Sequence, residues 1–523
     1  MARRIIMCLI GVALVTGLVA GVVTAATAGI TEAERTTAIH DGLAWLSTAQ
    51  TPGGYFEDPA NPGYFPVALT AFAVLKFEDD AARNGMSPFD SNYEYYTVVQ
   101  KAWQYLSQNA HAKQPLSLQP QGDPDTNGDH IGVYFYSPND ASKEVYETGI
   151  VMMALQAGRA SSMVVPGFAI PGVSSTFRDV LQECVDWVAW AQTDSGSGEG
   201  GWCYTAMDND SGWSDNSASQ WPVLGLMAAE VWNISAPAWV KNELLNHWLA
   251  ATQQTSNMQK PGCFGYTEAN NATDGGYFAT TAAGLVELTY CGVLSNAPQW
   301  QAGAQCICQE WDALPNVGNI GNLYAMYGLM RAAMLARPVP VWTFCEHEWQ
   351  PEYDRWLVDK QTKFGVNAGS WPAGYALPWY TWDKCPNAVL STEYALLILQ
   401  KTVPGVYDPL ASLEDLLRHQ ADRLTSFESL LKVCWRNLER EQQLEFLRSF
   451  EDLLHSQADR LESFEDLLNA AIGELGAAQQ VVFLRSFEDL LRRQAQAVAS
   501  FEDLLKAYNA AVQPALQMFV EKE

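Results

Sequence analysis

Three small groups of residues in this 523-residue chain have the types and spacing that site chemistry requires. The run Asp123-Pro-Asp125-Thr-Asn127-Gly128-Asp129 sets side-chain oxygens at alternate positions, with glycine sixth and a further aspartate seventh, as in the first half of a Ca²⁺-binding EF-hand loop. Position twelve is Tyr134, so a completing carboxylate must come from another segment. An ordinary acidic turn fits the same residues equally well. Asp208, Asp210 and Asp215 form the second group. A general acid is held neutral by burial and by neighbouring carboxylates, which a trio of aspartates can supply. Gly212 and Trp213 put this trio on a loop, and Asp215, in a Ser-Asp-Asn-Ser run ahead of a helix, suits an N-cap better than an acid. An aromatic set, Tyr324, Tyr327, Trp371, Trp379, Tyr380 and Trp382, could line a cavity for an isoprenoid, a sugar ring or a peptide. Aromatic residues at helical spacing more often fill a core, and only the 379–382 cluster, behind Pro378, departs from that pattern.

The elements that position these residues come from a repeat. A tryptophan is followed five residues later by a glutamine at Trp45, Trp103, Trp187, Trp248 and Trp356. The Trp-bearing segments, such as 39–50, 180–192 and 353–361, carry apolar residues three and four apart and read as amphipathic helices. A glycine-rich turn ending in an aromatic follows most copies, as in Gly53-Gly54-Tyr55, Gly200-Gly201-Trp202 and Gly369-Ser-Trp371. A second, apolar, small-residue helix comes next, in the stretches 65–75, 146–155, 220–230, 280–288, 322–330 and 392–399. Helices apolar nearly all round are buried on both sides. Six of them inside six amphipathic ones predict an all-α (α/α)6 toroid over residues 31–404, with the fifth unit degenerate around Trp300 and Trp311.

The glycine-aromatic turns, and the segment Gly200-Gly201-Trp202-Cys-Tyr204 with Asp215-Asn-Ser-Ala-Ser-Gln220-Trp221, resemble the prenyltransferase and squalene-oxidase repeats. That superfamily contains the class II terpene cyclases and the β subunits of protein prenyltransferases. The resemblance implies the toroid and a central apolar cavity. It does not carry the chemistry across. The cyclase acid motif D-x-D-D is absent, its nearest run being Asp208-Asn-Asp210-Ser211, and the prenyltransferase zinc set is incomplete at Asp383 and Cys385. Two readings follow: a non-catalytic binding protein with an apolar, isoprenoid or glycan ligand, or an enzyme, either a divergent terpene cyclase or a carbohydrate-active one.

Residues 405–523 hold a second repeat. The element Ser-Phe-Glu-Asp-Leu-Leu or a variant starts at Ser412, Ser426, Ser449, Ser463, Ser486 and Ser500, in alternating steps of 14 and 23 residues. The stretch is free of proline from 410 to 513 and reads as a helical bundle or staggered coiled coil suited to self-association. At the other end, Arg3 and Arg4, an apolar run and Ala26-Thr-Ala28 read as a cleaved export signal over residues 1–28, the alternative being a membrane anchor. A net charge of −28 repels nucleic acid and anionic membranes. Ten cysteines are dispersed without a C-x-x-C, and Cys345 with Cys385 is a plausible disulfide.

Overall fold

A computed structural model describes residues 30–404, apart from 59–61, 64, 138–142, 207–211, 377 and 379–386. The expected export signal at 1–28 and the second repeat at 405–523 lie outside the described residues. Among the described residues, twelve α-helices alternate between two layers. The outer set is α1 (Glu32–Thr48), α3 (Tyr96–Gln108), α5 (Phe177–Trp190), α7 (Ala238–Glu243, continued by a π turn at Leu244–Leu249 and by Ala250–Thr252), α9 (Pro298–Glu310) and α11 (Trp349–Lys360). The inner set is α2 (Pro66–Arg83), α4 (Glu144–Ala157), α6 (Asn216–Val231), α8 (Phe278–Tyr290), α10 (Leu323–Leu335) and α12 (Ala388–Leu399). Each inner helix packs on the next, and α12 packs on α2, so the ring closes.

The helices start where side chains can satisfy orphan amides. Thr31 and Glu34 form a capping box at α1, and Thr176, Asp215, Asn322 and Asn387 cap α5, α6, α10 and α12. Close approach is set by small residues. A Cβ at Gly149 of α4 would lie 2.4 Å from the Trp221 carbonyl group of α6.

The Trp–Gln repeat has a physical basis in the fold. The Gln50, Gln192, Gln253 and Gln361 side-chain amides each donate twice: to the carbonyl of the turn glycine in their own unit, and to a carbonyl in an outer helix of the adjoining unit. The glutamine of the last unit reaches Ala38 O of α1 at 2.8 Å. The four turn glycines have φ between 80° and 96°, and a Cβ on any of them would sit 2.2–2.4 Å from a carbonyl oxygen of that neighbouring helix. The aromatic turn is pinned from the other side. The N–H groups of Phe56, Phe135, Trp202, Phe264 and Trp371 donate to a Thr or Ser hydroxyl one or two turns into the following inner helix, at 2.9–3.1 Å. Gln108, the remaining copy, is exposed. After it the glycine turn is replaced by an antiparallel hairpin of β1 (Ala110–Lys113) and β2 (Gly132–Phe135), with Ala110 opposite Phe135. The acidic run 123–129 lies in the loop of this hairpin.

Two disulfides brace the degenerate fifth unit. Cys263, in a glycine turn, pairs with Cys306 of α9, and Cys308 of α9 pairs with Cys345, in the turn between β3 (Thr343–Phe344) and β4 (His347–Glu348). The expected Cys345–Cys385 pair is therefore wrong: Cys345 is held beside α9, and Cys385 lies outside the described residues. Among the described residues no helix is long and apolar enough to cross a membrane.

Candidate functional site

Phe72 of α2, Trp221 of α6, Tyr327 of α10 and Tyr394 of α12 meet at the centre of the ring. Their ring centroids lie 5.5–6.4 Å apart. Each residue is one to two turns from the N-terminus of its helix, so these four helices enter the centre from one side. Arg331, fully buried on the same helix as Tyr327, lays its guanidinium over Trp221 at 4.6 Å and Tyr327 at 4.2 Å and donates to Gln220 Oε1 at 2.5 Å. Burial lowers its pKa, and the neighbouring tyrosines oppose that shift. The guanidinium thus occupies the π faces that would otherwise greet a cation from outside.

Above this plug, at the N-terminal ends of the inner helices, aromatic surface is still partly exposed. Phe65, Tyr146, Tyr204 and Trp213 form a chain of rings 5.7–6.4 Å apart. Tyr324 lies over Trp221 and Tyr394 and takes a hydrogen bond from Gln220 at 2.5 Å. Tyr204 and Tyr266 share a 2.5 Å hydroxyl contact, and Tyr266 donates to Asp215 Oδ2 at 3.2 Å. The other Asp215 oxygen accepts from Ser217 Oγ and from the Ala218 N–H. Burial pushes the Asp215 carboxyl up, against the pull of these donors. Glu287 of α8 is fully buried, and its carboxyl is raised well above the usual range by burial first and by the charge of Asp215 second. Asp58 and Glu144, two further buried acids at this end, accept the N–H groups of Ala388 and Ala206.

The sequence candidates fall in different places. Asp215 is both the α6 cap and a wall of the mouth. Tyr324 faces the mouth, whereas Tyr327 is buried in the plug. Trp371 does not line the centre: it is fully buried between the rings, donates to Leu357 O at 2.8 Å and packs on Gly42. Asp208, Asp210, Trp379, Tyr380, Trp382, Asp383 and Cys385 lie outside the described residues. Sequence reasoning missed Tyr204, Tyr266, Tyr394 and Arg331. Arg331 had a signal, being the one charge in an otherwise apolar helix.

The acidic loop docks on α5. Thr126 donates to Asp186 at 2.6 Å, and the Asn127 amide donates to Glu183 at 2.7 Å. Asp125 does not present free oxygens as expected of a ligand: they accept from the N–H groups of Asn127, Gly128 and His130, and the His130 ring lies 3.1 Å away. Burial, then the charge of Asp129, pushes Glu183 up to about 8. Among the described residues, three His, Cys, Asp or Glu ligand atoms lie within 4.8 Å of one another only at Glu199, Glu243 and His247, on the surface.

No protein-family model matches the chain, and no curated protein does. Solved structures share a remote likeness. The type II terpene cyclase MstE from Scytonema aligns at 13% identity over 70% of this chain and 98% of its own, with a TM-score of 0.41. An MstE variant in complex with geranylgeranyl dihydroxybenzoate aligns at 12% identity over 70% and 96%, with a TM-score of 0.39. A protein from Actinoplanes aligns at 15% identity over 70% and 98%, with a TM-score of 0.38.

Proposed function

We propose that the chain is an exported binding protein whose toroid receives an apolar, isoprenoid-like chain on the aromatic mouth around Tyr204 and Tyr324, with residues 405–523 serving assembly. The observation that carries this reading is the filled centre. Arg331 and four aromatic residues in mostly edge-to-face contact close the floor, leaving half-buried rings at the mouth as the apolar surface on offer. The two disulfides support an oxidising compartment. Asp215 speaks against catalysis, because three donors already claim its oxygens, and a general acid must present its proton to the substrate.

A second reading has one observation in its favour. Asp215 and Glu287 are two buried carboxyls that sense each other, the arrangement that holds one acid neutral. Titrating the protein with geranylgeraniol while following tryptophan fluorescence separates the two. Saturable binding, weakened about tenfold by Tyr324→Ala, which corresponds to ~1.4 kcal/mol, and recovery of the unchanged alcohol by mass spectrometry are the expected results. Product formation that stops in Asp215→Asn or Glu287→Gln would establish the enzyme instead. Absence of any binding would remove the first reading.

A further inference from the structure

We propose that Glu199, Glu243 and His247 form a Zn²⁺ site on the seam between the third and fourth units. Glu199 follows the short turn Gly196–Gly198 and precedes Gly200. Glu243 and His247 stand four residues apart on α7, with His247 inside its π turn. The close approach of the turn glycine brings the three together. A Cβ on Gly200 would meet the Glu243 carbonyl oxygen at 2.2 Å, so the residue before that glycine is pressed against the same stretch of α7. One ligand atom from each side chain lies within 4.8 Å of the other two. His247 Nδ1 is 3.6 Å from Glu199 Oε1, and its Nε2 is 3.6 Å from Glu243 Oε2. Those separations are too long for hydrogen bonds. They are close to the ~3.4 Å edge of a tetrahedron whose metal–ligand bonds are about 2.1 Å.

The fold itself does not call for these residues. The glutamine tie defines the same place in four units: Gln50, Gln192, Gln253 and Gln361 reach the carbonyls of Val98, Val240, Gln299 and Ala38. Three residues further on, the carbonyls of Lys101, Glu243, Ala302 and Asp41 are the ones that the turn glycines approach. The residues before those glycines are Gly53, Glu199, Pro261 and Ala368, and those four beyond the approached carbonyl are Tyr105, His247, Cys306 and Trp45. Tyr105 packs on Tyr55, and Cys306 is taken by its disulfide. All three positions carry metal-ligand types in the Gly200 unit alone. Among the described residues no lysine or arginine pairs with Glu199 or Glu243, and the nearby Lys241 is held by Glu230. Two carboxylates facing one neutral imidazole repel each other, and a divalent cation between them reverses the sign of that interaction. One imidazole nitrogen with two carboxylate oxygens suits Zn²⁺, leaving its fourth position to water, whereas Ca²⁺ and Mg²⁺ take oxygen ligands.

Isothermal titration of the full chain with Zn²⁺, in buffer already holding millimolar Mg²⁺, is the direct test. Wild-type protein is expected to take up one equivalent more than His247→Gln; the count is read as a difference, so zinc bound elsewhere on the chain cancels. Glu199→Gln and Glu243→Gln should each weaken that site at least about tenfold, the loss that even an outer-shell partner of a metal produces. His40→Gln is the control. His40 is also exposed but faces a single carboxylate, Asp41, at 3.4 Å, and its loss should leave the uptake unchanged. Melting temperature gives a second readout, because an ion that binds the folded chain stabilises it: zinc should raise it further in the wild type than in His247→Gln. Far-UV circular dichroism shows that each variant is folded. Folded His247→Gln that matches the wild type in zinc uptake and in melting-temperature rise would overturn the proposal, as would wild-type protein that responds to zinc in neither measurement.

Discussion

Gly369→Ala is expected to lower stability by roughly 3–5 kcal/mol, combining a left-handed backbone with an overpacked contact. The added methyl would lie 2.2 Å from the Asp41 carbonyl oxygen, at a φ of +96°. Asp41 belongs to α1 and Gly369 to the last unit, so the change strikes the seam where the ring joins its own beginning. Urea unfolding of the full chain, followed by tryptophan fluorescence, measures the effect as a fall in midpoint. Gly374→Ala is the control. Nothing lies within 4 Å of its Cβ position, and the change should stay within about 0.5 kcal/mol of the wild type. A companion pair repeats the comparison through side chains. Gln361→Ala deletes two buried hydrogen bonds, whereas Gln108→Ala deletes an exposed amide. Equal midpoints for the two glycine variants would show that the seam carries no special load.

Reduction is expected to act in two stages. Cys345 is exposed and Cys308 half-buried, whereas Cys263 and Cys306 are fully buried. Dithiothreitol under native conditions should therefore open the 308–345 bridge alone, and alkylation followed by mass spectrometry should tag those two residues. The 263–306 bridge should yield only once the chain unfolds. The bridges close 43 and 37 residues. Loop entropy alone assigns about 4 kcal/mol to each, against total stabilities of about 5–15 kcal/mol for a domain. Loss of the first bridge should thus produce a visible drop in the melting temperature, and Cys345→Ser should reproduce it without reductant. Tagging of Cys263 and Cys306 ahead of the other pair would contradict the burial on which this order depends.

The ring was legible because its signals are local and repeated. The Trp–Gln spacing survives wherever a glutamine ties a glycine turn to the adjoining unit, and it loses that role at Gln108, where a hairpin has been inserted. Small-residue helices announced the inner layer for the same reason: close packing constrains every turn of them. The mouth was less legible. Tyr204, Asp215 and Tyr266 meet across as many as 62 residues, and no local pattern encodes a hydroxyl pair that far apart. Tyr327 and Trp371 have the residue types of a cavity wall, but their depth is set by neighbours on other helices. The run at 123–129 was legible as a turn; that Thr126 and Asn127 reach Asp186 and Glu183 depends on how the hairpin folds back on α5. The disulfide from Cys345 was misjudged because cysteine spacing holds no information on which turn comes to lie beside α9.

Gln361 bonded to Ala38 also changes what unfolding can look like. An open stack of repeats has two terminal units, each with a single neighbour, and such arrays fray from those ends unless special caps protect them. Here the first unit is the neighbour of the last, so no unit is terminal and none needs a cap. Opening any one of them exposes two interfaces instead of one. Amide hydrogen exchange should then lack the gradient from ends to middle that linear arrays show, and the six inner helices should lose protection together.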